Sequence, residues 1–216
     1  MHCARWGVKA MQIPRVYAIT DRRLSGLSHA EQVRRLAAGG IRLIQLREKE
    51  ASPRDFYWQA REAVAVAREL GVTLIINDRA DIAMAVGADG VHLGQDDLPP
   101  EKARMLLGPD RLIGFSTHSV EQALEADGWP VDYIALGPIF PTRTKEKPDP
   151  VVGVETVRAV RARVRKPLVA IGGITLETAP EVIATGADAV AVIADLVGAP
   201  DITARARQYV EALSAL

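Results

Sequence analysis

The chain has 216 residues, of which 48% are hydrophobic and 25% charged, and its 27 basic residues balance its 27 acidic ones. This composition excludes collagen-like, low-complexity and charge-driven disordered proteins. The zero net charge leaves no global basic field for a nucleic acid or an anionic membrane. We therefore expect a globular protein with no nucleic-acid or membrane partner, large enough to fold without disulfides or a structural metal.

The N-terminal residues carry no recognisable targeting signal. Residues 1–10 lack the apolar stretch of about 7–15 residues found in signal peptides, and no later run approaches the roughly 18 apolar residues of a membrane span. The single cysteine, Cys3, cannot form an intrachain disulfide, so nothing indicates an oxidising compartment. We expect a cytoplasmic protein with a loose extension over residues 1–10 and one folded domain over residues 11–216. The sequence leaves open whether the chain forms a homo-oligomer.

Eight short, continuously apolar runs follow one another along the chain. Such runs are typical of strands that are covered on both faces, as in parallel sheets. The runs cover residues 16–20, 43–46, 73–76, 91–93, 112–115, 133–136, 168–171 and 189–192. Amphipathic helical stretches lie between them, and capping-box or Ser-Pro signals predict helix starts at Ser28, Ser52, Ser119 and Thr178.

Eight β/α units within about 200 residues predict a single-domain (β/α)₈ TIM barrel of the α/β class. The alternative is a doubly wound open sheet, which normally shows a glycine-rich dinucleotide motif after its first strand. The residues after the first run, 20–23, contain no glycine. The barrel is therefore the preferred fold.

In such a barrel the functional residues lie at the carboxyl ends of the strands, so the polar residues directly after the apolar runs matter most. After the second run, the two-residue period of a strand places Gln45, Arg47 and Lys49 on one face. Inward-facing cations are costly unless an anion compensates them. The pattern indicates an anion site, and a solvated strand end with local ion pairs is the alternative.

Carboxylates follow the third and fourth runs. Asp78 follows the third, Asp96 and Asp97 follow the fourth, and neighbouring strands lie about 4.8 Å apart. Asp78 and one of the other two are thus placed to share a cation. Mg²⁺ typically takes one or two protein carboxylates together with phosphate oxygens. The alternative is that these residues only cap the helices that start near Ala80 and Pro99.

Three later loops indicate further phosphate contacts. The longest irregular segment, residues 137–150, holds four prolines, two threonines and three basic residues. We expect it to close over a polyanionic ligand, with a disordered surface loop as the alternative. The Gly172-Gly173 pair and residues 193–195 lie after the last two runs, where many barrel enzymes bind phosphate. Together these features predict two phosphorylated ligands.

Two histidines are candidates for general bases. His92 lies inside the fourth run, and His118 lies at a predicted helix start. These positions favour structural roles for both.

Seven spaced motifs between Tyr17 and Leu196 resemble those of the thiamin phosphate synthase family. They are YAITD at 17–21, QLREK at 45–49, INDR at 76–79, HLGQDDL at 92–98, GFSTH at 114–118, GPIFPTRTK at 137–145 and AIGGI at 170–174. The resemblance implies a (β/α)₈ enzyme of thiamin biosynthesis. Such an enzyme joins 4-amino-5-hydroxymethyl-2-methylpyrimidine diphosphate to 4-methyl-5-(2-hydroxyethyl)thiazole phosphate, or its carboxylated form, and releases pyrophosphate and thiamin phosphate.

The resemblance also implies roles for individual residues. Mg²⁺ would be the cofactor, with Asp78 and Asp97 as its ligands. The residues implied in catalysis are Arg47, Lys49, Ser116 and Lys145. The residues implied to bind the pyrimidine diphosphate are Gln45, Leu46, Arg47, Glu48, Lys49, Asn77, Ser116 and Lys145. The thiazole phosphate would contact Thr142, Thr144, Gly173, Ile193 and Ala194, and Arg143 is included among the substrate-binding residues of the same loop. The thiazole nitrogen is already a lone-pair nucleophile, so no catalytic base is expected.

One position departs from the family pattern, because Ala194 stands where the family usually has serine and one hydroxyl donor is missing. The related thiazole tautomerase is the nearest alternative, but that branch tends to have histidine where this chain has Pro138. It also lacks the full diphosphate and metal constellation. A second alternative is a non-catalytic regulator that retains the phosphate site, which only Ala194 supports. The synthase is the preferred function.

Overall fold

The computed structural model describes residues 13–142, 144 and 149–214, and these form a closed parallel barrel. Each strand pairs in parallel with the next one in the chain, and the last pairs with the first. The strands are β1 (Val16–Thr20), β2 (Leu43–Leu46), β3 (Thr73–Asn77), β4 (Gly90–Leu93), β5 (Leu112–Thr117), β6 (Tyr133–Leu136), β7 (Leu168–Ile171) and β8 (Ala189–Val192). The predicted barrel is confirmed, and predicted and observed strand ends agree to within two residues.

Helices surround the sheet and return the chain to the start of each strand. They are α1 (Arg22–Ser25), α2 (His29–Ala38), α3 (Pro53–Glu69), α4 (Ala80–Val86), α5 (Pro100–Leu107), α6 (Val120–Asp127), α7 (Val154–Arg161), α8 (Ala179–Ala184), α9 (Ala194–Val197) and α10 (Ile202–Ser214). Within the described part of the chain, no helix combines the length and apolar character needed to cross a membrane.

The strands are buried on both faces, which explains their continuously apolar sequences. Alternate residues of a strand face opposite sides. In β1, Ala18 packs against the surrounding helices, whereas Tyr17 and Ile19 lie in the barrel interior with Leu43 and Ile75. The barrel is therefore filled by side chains, and ligands have room only at its ends.

Three of the four predicted helix starts are capped as the sequence indicates. The side chains of Ser28, Ser52 and Ser119 each accept a hydrogen bond from the backbone N–H three residues later. The fourth helix also starts where predicted, since α8 begins directly after Thr178, but the expected side-chain cap is absent. This residue already has helical dihedral angles, and its hydroxyl instead accepts a 3.0 Å bond from the N–H of Thr175, so it stabilises the turn before α8.

Candidate active site

Two adjoining cavities open at the carboxyl ends of the strands. The first, called the β2–β5 cavity, has a volume of about 380 Å³ and is lined by polar residues that include Gln45, Arg47, Lys49, Asn77, Asp78, His92, Asp96, Asp97, Ser116 and His118. The second, called the β7–β8 cavity, has a volume of about 500 Å³ and is lined mainly by residues 171–175, Ala191 and residues 193–195. Both are also lined by Thr142 and Thr144. The two cavities therefore form one site with two lobes.

The alternation of β2 and its following loop carries three polar side chains to the first cavity. Gln45, Arg47 and Lys49 all line it, as the two-residue period predicts. A guanidinium nitrogen of Arg47 lies 3.2 Å from Oδ2 of Asp21, which also caps α1. The ammonium group of Lys49 donates to Oδ2 of Asp78. Both cations are thus oriented by carboxylates before any anion binds.

The two intervening residues lie away from the cavity. Leu46 is fully buried between the sheet and the helices. Glu48 accepts hydrogen bonds from the backbone N–H groups of Glu50 at 2.9 Å and Ala51 at 3.3 Å, and its other oxygen lies 3.5 Å from Nε2 of His29. These side chains fix the loop that carries Arg47 and Lys49, and neither of them lines the cavity.

His29 is a buried neighbour of this loop that the sequence pattern does not reveal. Its Nδ1 lies 2.7 Å from the hydroxyl of Thr20. Burial lowers the pKa of His29 to about 4, although the nearby Glu48 carboxylate opposes that shift. The imidazole is therefore neutral at pH 7.

The structure brings Asp78 and Asp97 together at the ends of β3 and β4. Burial raises the pKa of Asp97 to about 6, and the adjacent Asp78 carboxylate adds to the shift, while the N–H of Gly94 donates to Asp97 at 2.7 Å and opposes it. Among the described residues, Asp78 is the one non-glycine residue with a positive φ, at 63°. A backbone held in this region is typical of functional sites.

Neither aspartate caps a helix. The residue before α4 is Arg79 and the residue before α5 is Pro99, and neither helix start has a side-chain cap. Across the described ranges, no group of three or more His, Cys, Asp or Glu side chains is arranged to hold a metal ion. Two facing carboxylates, one with a raised pKa, nonetheless fit an ion that takes its other ligands from water and phosphate.

A buried polar network underlies the β2–β5 cavity. The hydroxyl groups of Tyr17 and Tyr133 lie 2.8 Å apart, and His92 contacts Tyr133 through Nδ1 at 3.1 Å and Ser116 through Nε2 at 2.8 Å. Burial lowers the pKa of His92 to about 4 and raises the pKa of both tyrosines, so all three are neutral. The two tyrosines were not among the residues predicted for the site, because each looks like an ordinary apolar strand residue.

The second cavity is built from backbone. Gly172 and Gly173 have φ values of 101° and 66°, and a Cβ atom at Gly173 would lie 2.5 Å from the carbonyl oxygen of Pro141. Only glycine allows the loops after β6 and β7 to approach this closely. Ile193 and Ala194 line the same cavity at the start of α9.

One salt-bridged carboxylate fastens the two loops of this cavity. Asp195 accepts a 3.0 Å hydrogen bond from the N–H of Leu176 in the loop after β7. It is held from behind by Arg205, at 2.7 Å, and by the hydroxyl of Tyr209, at 2.5 Å, both from α10. The carboxylate is thereby neutralised by α10, which keeps its charge from repelling an anion.

His118 lies beside the start of the long loop after β6. Its Nδ1 donates to the carbonyl oxygen of Gly137 at 2.6 Å, and its Nε2 lies 3.7 Å from Oδ2 of Asp149. The ring therefore contacts both ends of the loop. Two residues predicted for the site, Arg143 and Lys145, lie outside the described residues.

Comparison with known proteins identifies the family. The model of the family described as "Thiamine monophosphate synthase" matches residues 16–196. The chain belongs to this family. It is 49% identical over 210 residues to the thiamine-phosphate synthase of Koribacter versatilis, covering 94% of this chain and 97% of the relative. It is 48% identical to that of Syntrophomonas wolfei, covering 89% and 93% of the two chains.

Solved structures agree with this result. The structure described as thiamine phosphate pyrophosphorylase from Pyrococcus furiosus shares 38% identity with a TM-score of 0.85, and 94% of this chain and 96% of that chain are covered. A 3-hexulose-6-phosphate synthase with 18% identity and a TM-score of 0.67 shows only that the fold is shared. The predicted family, its enzyme class and its place in thiamin biosynthesis are confirmed, and the tautomerase and regulator alternatives are not favoured.

Proposed function

We propose that this chain joins the pyrimidine diphosphate to the thiazole phosphate and releases pyrophosphate and thiamin phosphate. The observation that carries the proposal is the pair of connected cavities, because they match two phosphorylated ligands that must meet. The β2–β5 cavity supplies two cations and two facing carboxylates. The β7–β8 cavity supplies glycine backbone and the loop before α9.

The chemistry needs charge stabilisation more than proton transfer. The bond between the pyrimidine methylene carbon and the diphosphate oxygen breaks, and its electron pair leaves with pyrophosphate. The lone pair of the thiazole nitrogen forms the new carbon–nitrogen bond. Arg47 and Lys49 stabilise the charge that develops on the leaving pyrophosphate, because both line the cavity that receives it. Lys145 is proposed to join them on the basis of the family motif.

No general base is needed for these steps, and the two nearby histidines have other partners. His92 is bonded to Tyr133 and Ser116, and His118 is bonded to Gly137. Holding the two substrates in contact within one site supplies a large part of the rate.

Mg²⁺ is proposed as the cofactor. Asp78 and Asp97 would hold it together with diphosphate oxygens, and the bound ion would neutralise part of the diphosphate charge. Without it, Asp78 is compensated by Lys49, whereas the carboxylate of Asp97 is left with a pKa raised by burial. A cation held between the two carboxylates would offset the burial of Asp97 and its repulsion by Asp78.

The remaining substrate contacts follow the same division. Asn77 and Ser116 line the first cavity beside the cations. Thr142 and Thr144 lie where the two lobes meet, so we assign them to the thiazole phosphate. Arg143 is placed in the same binding loop by its position in the sequence. We further propose that the enzyme works in the cytoplasm on small phosphorylated molecules, since its composition favours neither nucleic acid nor membrane.

The deciding experiment is an assay of pyrophosphate and thiamin phosphate with both substrates, in the presence of Mg²⁺ or of a chelator. Formation of both products with Mg²⁺, lost with the chelator, is expected. Isomerisation of the thiazole phosphate alone would instead identify a tautomerase, and ligand binding without product would identify a regulator.

A pair of matched variants tests the metal ligands in the same assay. Asp78→Asn is expected to abolish Mg²⁺-dependent turnover. Asp81→Asn changes an exposed acid three residues later that pairs with Arg79 and lines neither cavity, so it should keep wild-type activity. Equal activity in the two variants would remove Asp78 from the metal site.

A further inference from the structure

A continuous chain of hydrogen bonds crosses the barrel interior and joins two residues that line the β2–β5 cavity. It runs from Gln45 through Tyr17, Tyr133 and His92 to Ser116, with donor–acceptor distances of 3.0, 2.8, 3.1 and 2.8 Å in that order. The three central side chains have exposed fractions of 1%, 0% and 6%. The first three bonds are therefore shielded from bulk water, and the bond to Ser116 is partly buried.

The geometry fixes the direction of one bond in this chain, and the other three are compatible with either direction. A tyrosine hydroxyl has one hydrogen to donate, and a neutral imidazole has one N–H. Because Nε2 of Gln45 faces the hydroxyl oxygen of Tyr17, Gln45 donates there. In a chain that keeps this one direction throughout, Tyr17 donates to Tyr133, and Tyr133 donates to Nδ1 of His92. His92 then keeps its own hydrogen on Nε2 and donates it to Oγ of Ser116.

We propose that Tyr133 and His92 are positioning residues that set the Ser116 hydroxyl as a hydrogen-bond donor towards the ligand. Since Oγ of Ser116 accepts from His92, its own hydrogen is left for a group in the cavity. At the other end of the chain, Gln45 uses its N–H on Tyr17 and presents its carbonyl oxygen as an acceptor. The interior network thus gives the cavity a donor at one end and an acceptor at the other.

This polarity suits a ligand with a phosphate near Ser116 and an amino group near Gln45. A phosphate oxygen only accepts hydrogen bonds at neutral pH, and an amino group on an aromatic ring mainly donates them. With the opposite direction, Ser116 would donate to His92 and turn its lone pairs towards the phosphate. The identity of these ligand groups as the diphosphate and the 4-amino group of the pyrimidine rests on the proposed function, whereas the direction of the chain does not.

Nitrogen-15 NMR of the imidazole groups measures this direction without any substrate. In the wild-type protein we expect the hydrogen of His92 on Nε2 and none on Nδ1, and comparison with His92→Gln assigns the signals. Tyr133→Phe removes the donor to Nδ1, so the two tautomers of His92 should mix. A wild-type spectrum with the hydrogen on Nδ1 overturns the proposal, and a Tyr133→Phe spectrum identical to wild type does so as well.

A double-mutant cycle tests whether Tyr133 acts through Ser116. Ser116→Ala is expected to lower kcat/KM for the pyrimidine diphosphate by about 10- to 100-fold, since it removes a hydrogen bond to an anion, and Tyr133→Phe by about 3- to 10-fold. In the Ser116→Ala background, Tyr133→Phe should lose nearly all of its effect. The KM for the thiazole phosphate should stay near the wild-type value throughout.

Tyr57→Phe is the matched control, because it deletes the same hydroxyl group from a half-buried tyrosine of α3 outside the barrel interior. It should keep wild-type kinetics, and thermal unfolding should show that every variant is folded. Losses for Ser116→Ala and Tyr133→Phe that simply multiply in the double variant would mean that Tyr133 acts only through stability, and this result would refute the positioning role. If the wild-type protein makes no thiamin phosphate, the proposed function fails, while the NMR measurement still decides the direction of the chain.

Discussion

Replacing Gly114 with alanine adds a methyl group where the ring of Tyr133 already lies. Gly114 of β5 and Tyr133 of β6 are direct partners in the sheet. A Cβ atom at position 114 would lie 2.1 Å from Cζ, 2.3 Å from the hydroxyl oxygen and 2.4 Å from Cε2 of that ring. Because carbon atoms in contact lie about 3.5–4.0 Å apart, the ring or the strand must move by roughly 1.5 Å.

The tyrosine ring has little freedom to move that far. Its hydroxyl is bonded to Tyr17 at 2.8 Å and to His92 at 3.1 Å, and its ring stacks on His92 with centroids 5.6 Å apart. Overpacking of this kind costs about 1–3 kcal/mol, and each lost buried hydrogen bond adds about 0.5–1.5 kcal/mol. We expect Gly114→Ala to lower the free energy of unfolding by about 2–6 kcal/mol, which in a domain of this size lowers Tm by about 5–20 °C.

Chemical denaturation with a matched glycine variant measures this effect. Gly128 has an ordinary φ of −85° at the end of α6, and a Cβ atom there would meet only the carbonyl oxygen of Glu125 at 3.4 Å. Gly128→Ala should therefore unfold within about 0.5 kcal/mol of the wild type. If Gly114→Ala unfolds at the same denaturant concentration as Gly128→Ala, the interior is not packed as described and the reasoning fails.

Four further predictions concern the site. Asp97→Asn should raise the Mg²⁺ concentration needed for half-maximal activity by about tenfold or more, measured by metal titration of turnover; an unchanged requirement would exclude Asp97 as a ligand. His29 has a folded pKa near 4, below the usual value of 6.5, so its contribution to stability is complete above pH 6.5 and is lost as the pH falls towards 4. Between pH 6.5 and pH 4 this loss should lower the free energy of unfolding of the wild type by roughly 3 kcal/mol, and His29→Gln should remove it. Denaturation curves at several pH values measure the effect, and an equal pH dependence in both proteins would contradict the assignment. Arg205→Met should weaken the hold on Asp195 and raise the KM for the thiazole phosphate more than that for the pyrimidine diphosphate, whereas equal changes would argue against the loop connection. Ala194→Ser should lower the KM for the thiazole phosphate if the missing hydroxyl matters, and an unchanged KM would show that backbone N–H groups are sufficient.

The sequence determined the fold because barrel strands are short and buried on both faces. Each strand therefore appears as an uninterrupted apolar run, and serines placed before helices mark the starts of α2, α3 and α6. The two-residue period of a strand also determined that Gln45, Arg47 and Lys49 share a face. The order of β/α units then placed Asp78 and Asp97 at neighbouring strand ends, where the structure finds them facing one another.

Only the tertiary structure decided which groups contact and orient the residues of the site. Glu48 is charged and lies within a polar motif, yet the buried His29 and two backbone N–H groups draw it away from the cavity. The tyrosines of β1 and β6 are indistinguishable in sequence from other core residues, and only closure of the barrel brings their hydroxyl groups together and places that of Tyr133 against His92. Such contacts join residues up to 116 positions apart, so local periodicity carries no record of them.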